Sequence, residues 1–212
     1  MNSGGDGAGP VPRQRPTILS PGMESTPRAQ GRMASKERRE LVLVAARKEF
    51  AAHGFHGGST NRIAEAAGIS QPYLFQLYDT KHALFLAVVG RYFDEVHGAL
   101  REAAEGAGKE DVFRALGRGF LRHLVDDKEG LMLFMQALAA CGDLEVRQRV
   151  RDRFGELYHY VERVSGANDE AVRTLFAYGV LAALGAALGL DESEGRDTWA
   201  GRLMDFLGSF DA

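Results

Sequence analysis

Residues 54–89, GFHGGSTNRIAEAAGISQPYLFQLYDTKHALFLAVV, decide the fold. Within them Ala67-Gly68-Ile69 separates two short runs, and each run is preceded by a serine: Ser59 before 60–67 and Ser70 before 71–78. A serine in that position accepts a hydrogen bond from a first-turn N–H that has no partner inside the helix. Gly68 suits the left-handed residue at which helices stop. Ile63, Ala64 and Ala67 give the first run an apolar face, and Leu74 and Tyr78 do the same for the second. The small residues Ala64, Ala66 and Ala67 let the two cross closely. Two short capped helices about a tight glycine turn predict a helix-turn-helix. Pro72 is compatible, because the first helical turn does not use its missing N–H.

The face turned away from that core carries Gln71, Pro72, Tyr73 and Gln76. Glutamine can pair bidentately with adenine in the major groove. Tyr73 offers a hydroxyl and an apolar ring, suited to a phosphate or a thymine methyl. Thr60 and Asn61 open the preceding helix, where free N–H groups favour a phosphate. Arg62 and Lys81 add charge for contacts to the DNA backbone. A helical corner of an ordinary core has no need of so polar an exposed face.

These residues resemble the DNA-binding region of the tetracycline-repressor (TetR) family. The resemblance rests on Gly54-Phe55, Ser59-Thr60, the core Ile63-Ala64-x-x-Ala67-Gly68-Ile69-Ser70, then Leu74-Phe75-x-x-Tyr78 and Lys81-x-x-Leu84, over about fifty positions from Arg39 to Val89. It implies that Ser70 caps the recognition helix and that Gln71, Tyr73 and Gln76 read bases. It implies too that Thr60, Arg62 and Lys81 hold phosphates. Two positions depart from the pattern. Phe75 stands where the family commonly has a tyrosine whose hydroxyl meets a phosphate, and His82 stands where an acid is common.

Working outward, almost everything from Ser35 on reads as helix, with no period-2 strand pattern. A first helix over about 35–53, capped by Ser35, places Val42, Ala45, Ala46 and Phe50 on one face and stops at Gly54. Thr80 caps a helix to about residue 104. Further helices are predicted over about 110–125 (stripe Phe113, Leu116, Phe120, Leu124), 130–140, and from an Asp143 cap through Val146, Val150, Phe154, Leu157, Val161 and Val164. Asp169 is expected to cap an apolar helix, and a last helix carries Trp199, Leu203, Phe206, Leu207 and Phe210. The fold class is therefore all-α. A three-helix helix-turn-helix domain at 35–80 precedes a helical ligand-binding and dimerisation domain at 81–212. Residues 1–34, rich in Gly, Pro, Ser and Arg, are expected to be disordered.

The 212 residues carry a net charge of −3, but unevenly. Residues 1–34 hold four Arg against two acids, residues 35–92 eight Lys and Arg against five, and the remainder fourteen against twenty-two. A basic head on an acidic body fits a DNA reader joined to a sensing unit. One cysteine, Cys141, excludes a disulfide within the chain, and no secretory signal pattern is evident. Both fit a reducing cytoplasm. The uncharged run 174–190 is short for a bilayer span and reads as a buried or interface helix. The six histidines form no metal-ligand spacing, so no metal or cofactor is expected. Neither a nucleophile with an adjacent base nor a glycine-rich phosphate loop is present, which argues against an enzyme. A helical module that binds protein in place of DNA is the remaining alternative.

The resemblance implies that later helices enclose a ligand and that the last two pair across a two-fold axis, as homodimeric readers of palindromic DNA require. Phe113, Phe120, His123, Leu131, Phe134, Met135, Leu138, Phe154 and Tyr158 are the candidate pocket, suited to a small apolar or aromatic effector. Gly179, Ala182, Ala183 and Ala186, with Trp199, Leu203, Phe206 and Phe210, are the candidate dimer interface. Ligand entry is expected to release the protein, acting as a repressor, from its operator.

Overall fold

The computed structural model describes residues 27–108, 112–190 and 199–205. Among these the chain forms helices α1 (Pro27–Gly57), α2 (Thr60–Ala66), α3 (Gln71–Leu77), α4 (Lys81–Glu105), α5 (Val112–Asp126), α6 (Lys128–Ala139), α7 (Leu144–Ser165), α8 (Asp169–Ala187) and α9 (Trp199–Met204). No strand occurs among the described residues. The chain before Pro27 and the predicted Phe206, Leu207 and Phe210 lie outside them.

The first helix begins earlier than the sequence suggests. Ser35 is not its cap but an interior residue, and residues 27–34, expected to be disordered, are helical. Pro27 is tolerated at the first turn, and Arg28, Ala29, Gln30, Arg32, Met33 and Ala34 are good helix formers that outweigh Gly31. The C-terminal stop is as expected, because Gly54, at φ 68°, breaks the helical conformation. Val42, Ala46 and Phe50 on its inner face are fully buried.

Four core residues hold the head together. Phe50 of α1 meets Phe85 of α4 edge to face, with ring centroids 5.0 Å apart, and Ile63 and Leu74 close the space from α2 and α3. Helix α4 then carries this core onward. Its buried residues run from Leu84 to Leu100, so one helix is shared between the head and the body. One apolar cluster runs continuously from Val42 and Ile63 through Val96 and Leu116 to Val161 and Val172. Head and body are thus joined by packing as well as by chain connection. The most extensive contacts are of α1 along α6 and α4 along α5.

Two boundaries in the body shift. Asp127, not Gly130, opens α6, its carboxylate accepting the Gly130 N–H at 2.9 Å. Asn168 replaces Asp169 as the cap of α8, accepting the Ala171 N–H at 2.9 Å. The longer shift concerns which way α8 faces. Gly179, Ala182 and Ala183 are buried within the chain: Gly179 lies against the Phe120 ring, and the two alanines pack with Leu124 and Leu131. Small side chains let α8 approach α5 and α6 closely. The stripe expected at a dimer interface is therefore consumed inside one chain. The opposite face stays open, with Val180, Leu184 and Leu188 exposed by 54%, 43% and 60%. Among the described helices α8 is the one long and apolar enough to cross a membrane, yet its inner face belongs to the chain's own core.

Candidate nucleic-acid interface

Three hydroxyls set the geometry of the head. The Ser59 side chain accepts the Arg62 N–H at 3.4 Å, Ser70 accepts that of Tyr73 at 3.3 Å, and Thr80 accepts that of Ala83 at 2.9 Å. Between α2 and α3 the chain turns at Gly68, whose φ of 67° lies in the left-handed region. The turn closes with the Ile69 N–H donating to the Ala64 carbonyl at 3.0 Å. Ala64, Ala67 and Leu77 are buried where the helices cross. Arg39 reaches over from α1 to donate to the Leu77 carbonyl at 2.8 Å, satisfying the C-terminal end of α3, and stacks on Tyr78.

The eight residues expected to meet DNA do not share one environment. Pro72 and Gln76 are exposed on the outer face of α3, and the Ser70 hydroxyl serves as its cap. Tyr73 is half-buried beneath the Arg38 guanidinium, which lies 5.5 Å from its ring centroid and donates to its hydroxyl at 3.4 Å. Gln71 turns inward, its amide donating to the Thr60 hydroxyl at 2.8 Å, so those two side chains first hold α3 against α2. Lys81 donates to the His56 carbonyl at 2.9 Å and sits over the Phe55 ring. Arg62 is the clearest departure. Both oxygens of Glu49 take its Nε–H, at 3.0 and 3.1 Å, and the Gly57 carbonyl takes a further bond at 3.3 Å. The Arg62 hydrogen bond holds the Glu49 carboxyl below its ordinary range, against burial that pushes it up. The same carboxylate accepts the Ser59 N–H at 2.8 Å. Arg62 thus braces the start of α2 before it meets any phosphate.

Sequence reasoning missed Arg38 and Arg39. They lie 35 and 38 residues before their partners on α3, and the charge run Lys36-Glu37-Arg38-Arg39 carries no local sign of that contact. Phe75, expected to lack a phosphate contact, is exposed on the outer side of α3 as an apolar surface. His82 spans two carboxylates, Nε2 to Asp143 at 3.2 Å and Nδ1 to Glu145 at 3.4 Å, tying the start of α4 to the start of α7. This gives the departure at His82 a structural role.

In the body an apolar cavity of about 60 Å³ lies between α4, α5, α6, α7 and α8. Of the expected pocket residues, Phe120, Phe134 and Phe154 line it. Leu131 and Met135 pack instead in the small cluster against α8, and Leu138 is exposed. Phe113 packs on the main core, and the Tyr158 ring lies 5.1 Å from that of Phe176. His123 stands behind the wall, its ring 6.0 Å from that of Tyr92. The cavity draws more heavily on α4 and α8 than the aromatic pattern suggested, through Tyr92, Phe93, Phe176 and Val180.

The profile of bacterial regulatory proteins of the tetR family matches residues 42–88, which span α1 to the first part of α4. The chain is 26% identical to a TetR-like transcriptional regulator from Rhodococcus sp. RHA1, with 82% of this chain and 92% of that one superposed at a TM-score of 0.58. Over residues 42–88 this chain matches the tetR family. Among curated proteins it is similar to the HTH-type transcriptional activator FasR of Mycolicibacterium smegmatis, 31% identical over 110 residues. That match covers 51% of this chain and 50% of FasR. It is also similar to the transcriptional regulator RutR of Escherichia coli, 36% identical over 61 residues, 29% of each chain. The chain thus spans half the length of FasR and under a third of RutR. The fold is shared with FadR of Bacillus subtilis, solved in complex with stearoyl-CoA, at a TM-score of 0.62 over 81% of this chain and 98% of that one, with 13% identity. These relatives are regulators of transcription by name, not enzymes.

Proposed function

We propose that the chain is a sequence-specific DNA-binding transcriptional regulator, a homodimeric repressor that a small apolar or aromatic ligand releases from a palindromic operator in the bacterial cytoplasm. The observation that carries this reading is α3: a short helix, capped at Ser70, fixed on α2 and α1, with Pro72, Phe75 and Gln76 exposed on its outer side. Gln76 is the residue best placed to read a base, and Tyr73 with Arg38 the pair best placed to meet the DNA backbone. Gln71 and Thr60 act by setting the height of α3 over α2. Arg62 is assigned to bracing, and Lys81 keeps its phosphate role only by leaving the His56 carbonyl.

A helix-turn-helix protein reads two half-sites about 34–36 Å apart, which calls for a two-fold dimer. Val180, Leu184 and Leu188 on α8, with Trp199 and Leu203 on α9, form the surface we assign to that contact. This replaces the small-residue stripe, which the chain buries. Effector binding is assigned to the cavity in the body. FadR, which shares the fold, was solved with stearoyl-CoA, a ligand with a long apolar acyl chain on a charged CoA part, and the apolar chain supports an effector with an apolar portion. Repression is read from the family resemblance, and FasR, an activator by name, stands on the other side of that choice.

The test is the triple variant Gln71→Ala/Tyr73→Ala/Gln76→Ala. It is expected to keep its helical circular dichroism and its oligomeric state while losing retention of duplex DNA. Undiminished retention contradicts the assignment of α3 as the reading element.

A further inference from the structure

Whatever enters the body cavity meets almost no polar wall. Among the described residues Tyr92 supplies the one polar side chain that lines it. Burial, with the Asp127 carboxylate nearby, pushes the Tyr92 phenol up, so it stays neutral. A buried ion without a counter-charge costs several kcal/mol, roughly, even after the protein relaxes around it. Among the described residues no such counter-charge lines this cavity.

One polar atom beside it is unspent. His123 Nε2 is buried and has no hydrogen-bond partner. Its nearest carboxylate oxygen, Asp127 Oδ2, is 3.8 Å away, beyond a hydrogen bond. That oxygen already takes the Arg47 guanidinium, and Oδ1 of the same group takes the Gly130 N–H at 2.9 Å. Asp127 is therefore committed elsewhere. Buried polar groups in native proteins rarely stay unpaired, and those that do call for an explanation. The position of His123 supplies one. It lies on α5 between Phe120 and Leu124 in sequence, both in the cavity wall, with its ring 6.0 Å from that of Tyr92, which stacks on Phe134 at 5.9 Å.

We propose that the effector is an uncharged, compact apolar molecule carrying one neutral hydrogen-bonding group, and that His123 takes that group once the Tyr92–Phe134 pair parts. This deepens the reading of the cavity as the effector site and rests on it. An imidazole suits the task because, by choice of tautomer, Nε2 either donates or accepts. The cavity of about 60 Å³ is smaller than the sites that hold drug-sized ligands, so the wall moves on entry. Tyr92 is the part of the wall that matters downstream. It lies near Arg47 of α1, Glu95 of α4 and Asp127 at the start of α6, which join the head to the body.

The experiment titrates the full-length protein with toluene, benzyl alcohol and sodium benzoate, by calorimetry and by thermal shift. The wild type is expected to bind benzyl alcohol at least as tightly as toluene and to show no binding of benzoate. In His123→Leu the alcohol is expected to fall about tenfold relative to toluene, the worth of one buried hydrogen bond, and His123→Gln is expected to restore the ratio. Using a ratio within each variant removes any general loss of stability. Ala183→Leu, which fills the cavity, is expected to abolish binding of both. An unchanged alcohol-to-toluene ratio in His123→Leu overturns the role of His123 and leaves the cavity as the effector site. Tight binding of benzoate overturns the restriction to uncharged ligands. No binding of toluene or the alcohol by the wild type overturns both the inference and the reading beneath it.

Discussion

Glu49 and Arg62 lie thirteen residues apart and meet at the start of α2, where the carboxylate also takes the Ser59 N–H. The carboxylate side chain keeps only 9% of its exposure, so it cannot turn to water for partners. Its pKa is depressed in the folded chain, and the sign follows. The contribution to stability is complete above the unfolded value of about 4.5 and is lost as pH falls through the lower folded value. Urea midpoints at pH 7 and pH 4 check this: the wild type is expected to lose more than Glu49→Gln over that interval, and equal losses contradict it. The same contact redirects a prediction about DNA. Arg62→Ala is expected to lower thermal stability while leaving the salt dependence of DNA affinity nearly unchanged. By contrast, Gln76→Ala makes no internal contact worth losing and is expected to cost about 1–3 kcal/mol of operator binding, with relaxed preference at one base. A binding isotherm against the selected operator separates the two.

At the scale of the element, what is local was legible and what is packed was not. Ser59, Ser70 and Thr80 each cap the helix that the sequence assigned to them, because a cap needs only a hydroxyl and the N–H three residues on. Ser70→Ala is expected to cost about 1 kcal/mol, a fall of roughly 2–4 °C in the melting temperature for a chain of this size. No change in melting removes the cap from the account. Gly68→Ala forces a side chain into left-handed backbone and is expected to cost about 1–2 kcal/mol although nothing lies near its Cβ. Helix α8 marks where local reading fails. Both of its faces are apolar, one small and one bulky, so periodicity gives a helix without saying which side turns inward. That depends on Phe120, whose ring needs Gly179 opposite it. Asp143 and Asn168 differ in the same way: both cap, but only the first was singled out, since Asn168 and Asp169 are equally plausible from sequence.

At the scale of the whole molecule, α4 is the element through which the body can act on the head, since its first half packs on Phe50 and its second half lines the cavity. Both its neighbours along α1 and α6 meet at Arg47, where Glu95, Asp127 and Glu129 converge. The sequence could not show this cluster, because Glu95 and Asp127 lie 48 and 80 residues from Arg47, with Glu129 further still. Leu184→Glu/Leu188→Glu places charge on the exposed face of α8, away from the cavity wall. Sedimentation is expected to find this variant monomeric with its helical content intact, and a dimer indistinguishable from wild type removes α8 from the interface. Affinity for a two-site operator should fall with it. The most direct test of the central claim offers the purified protein a random duplex library at two salt concentrations and sequences what is retained. The account predicts a palindrome whose half-sites lie one helical turn apart, bound with an affinity that falls steeply with salt. Folded, dimeric protein that enriches no sequence at either salt concentration contradicts it.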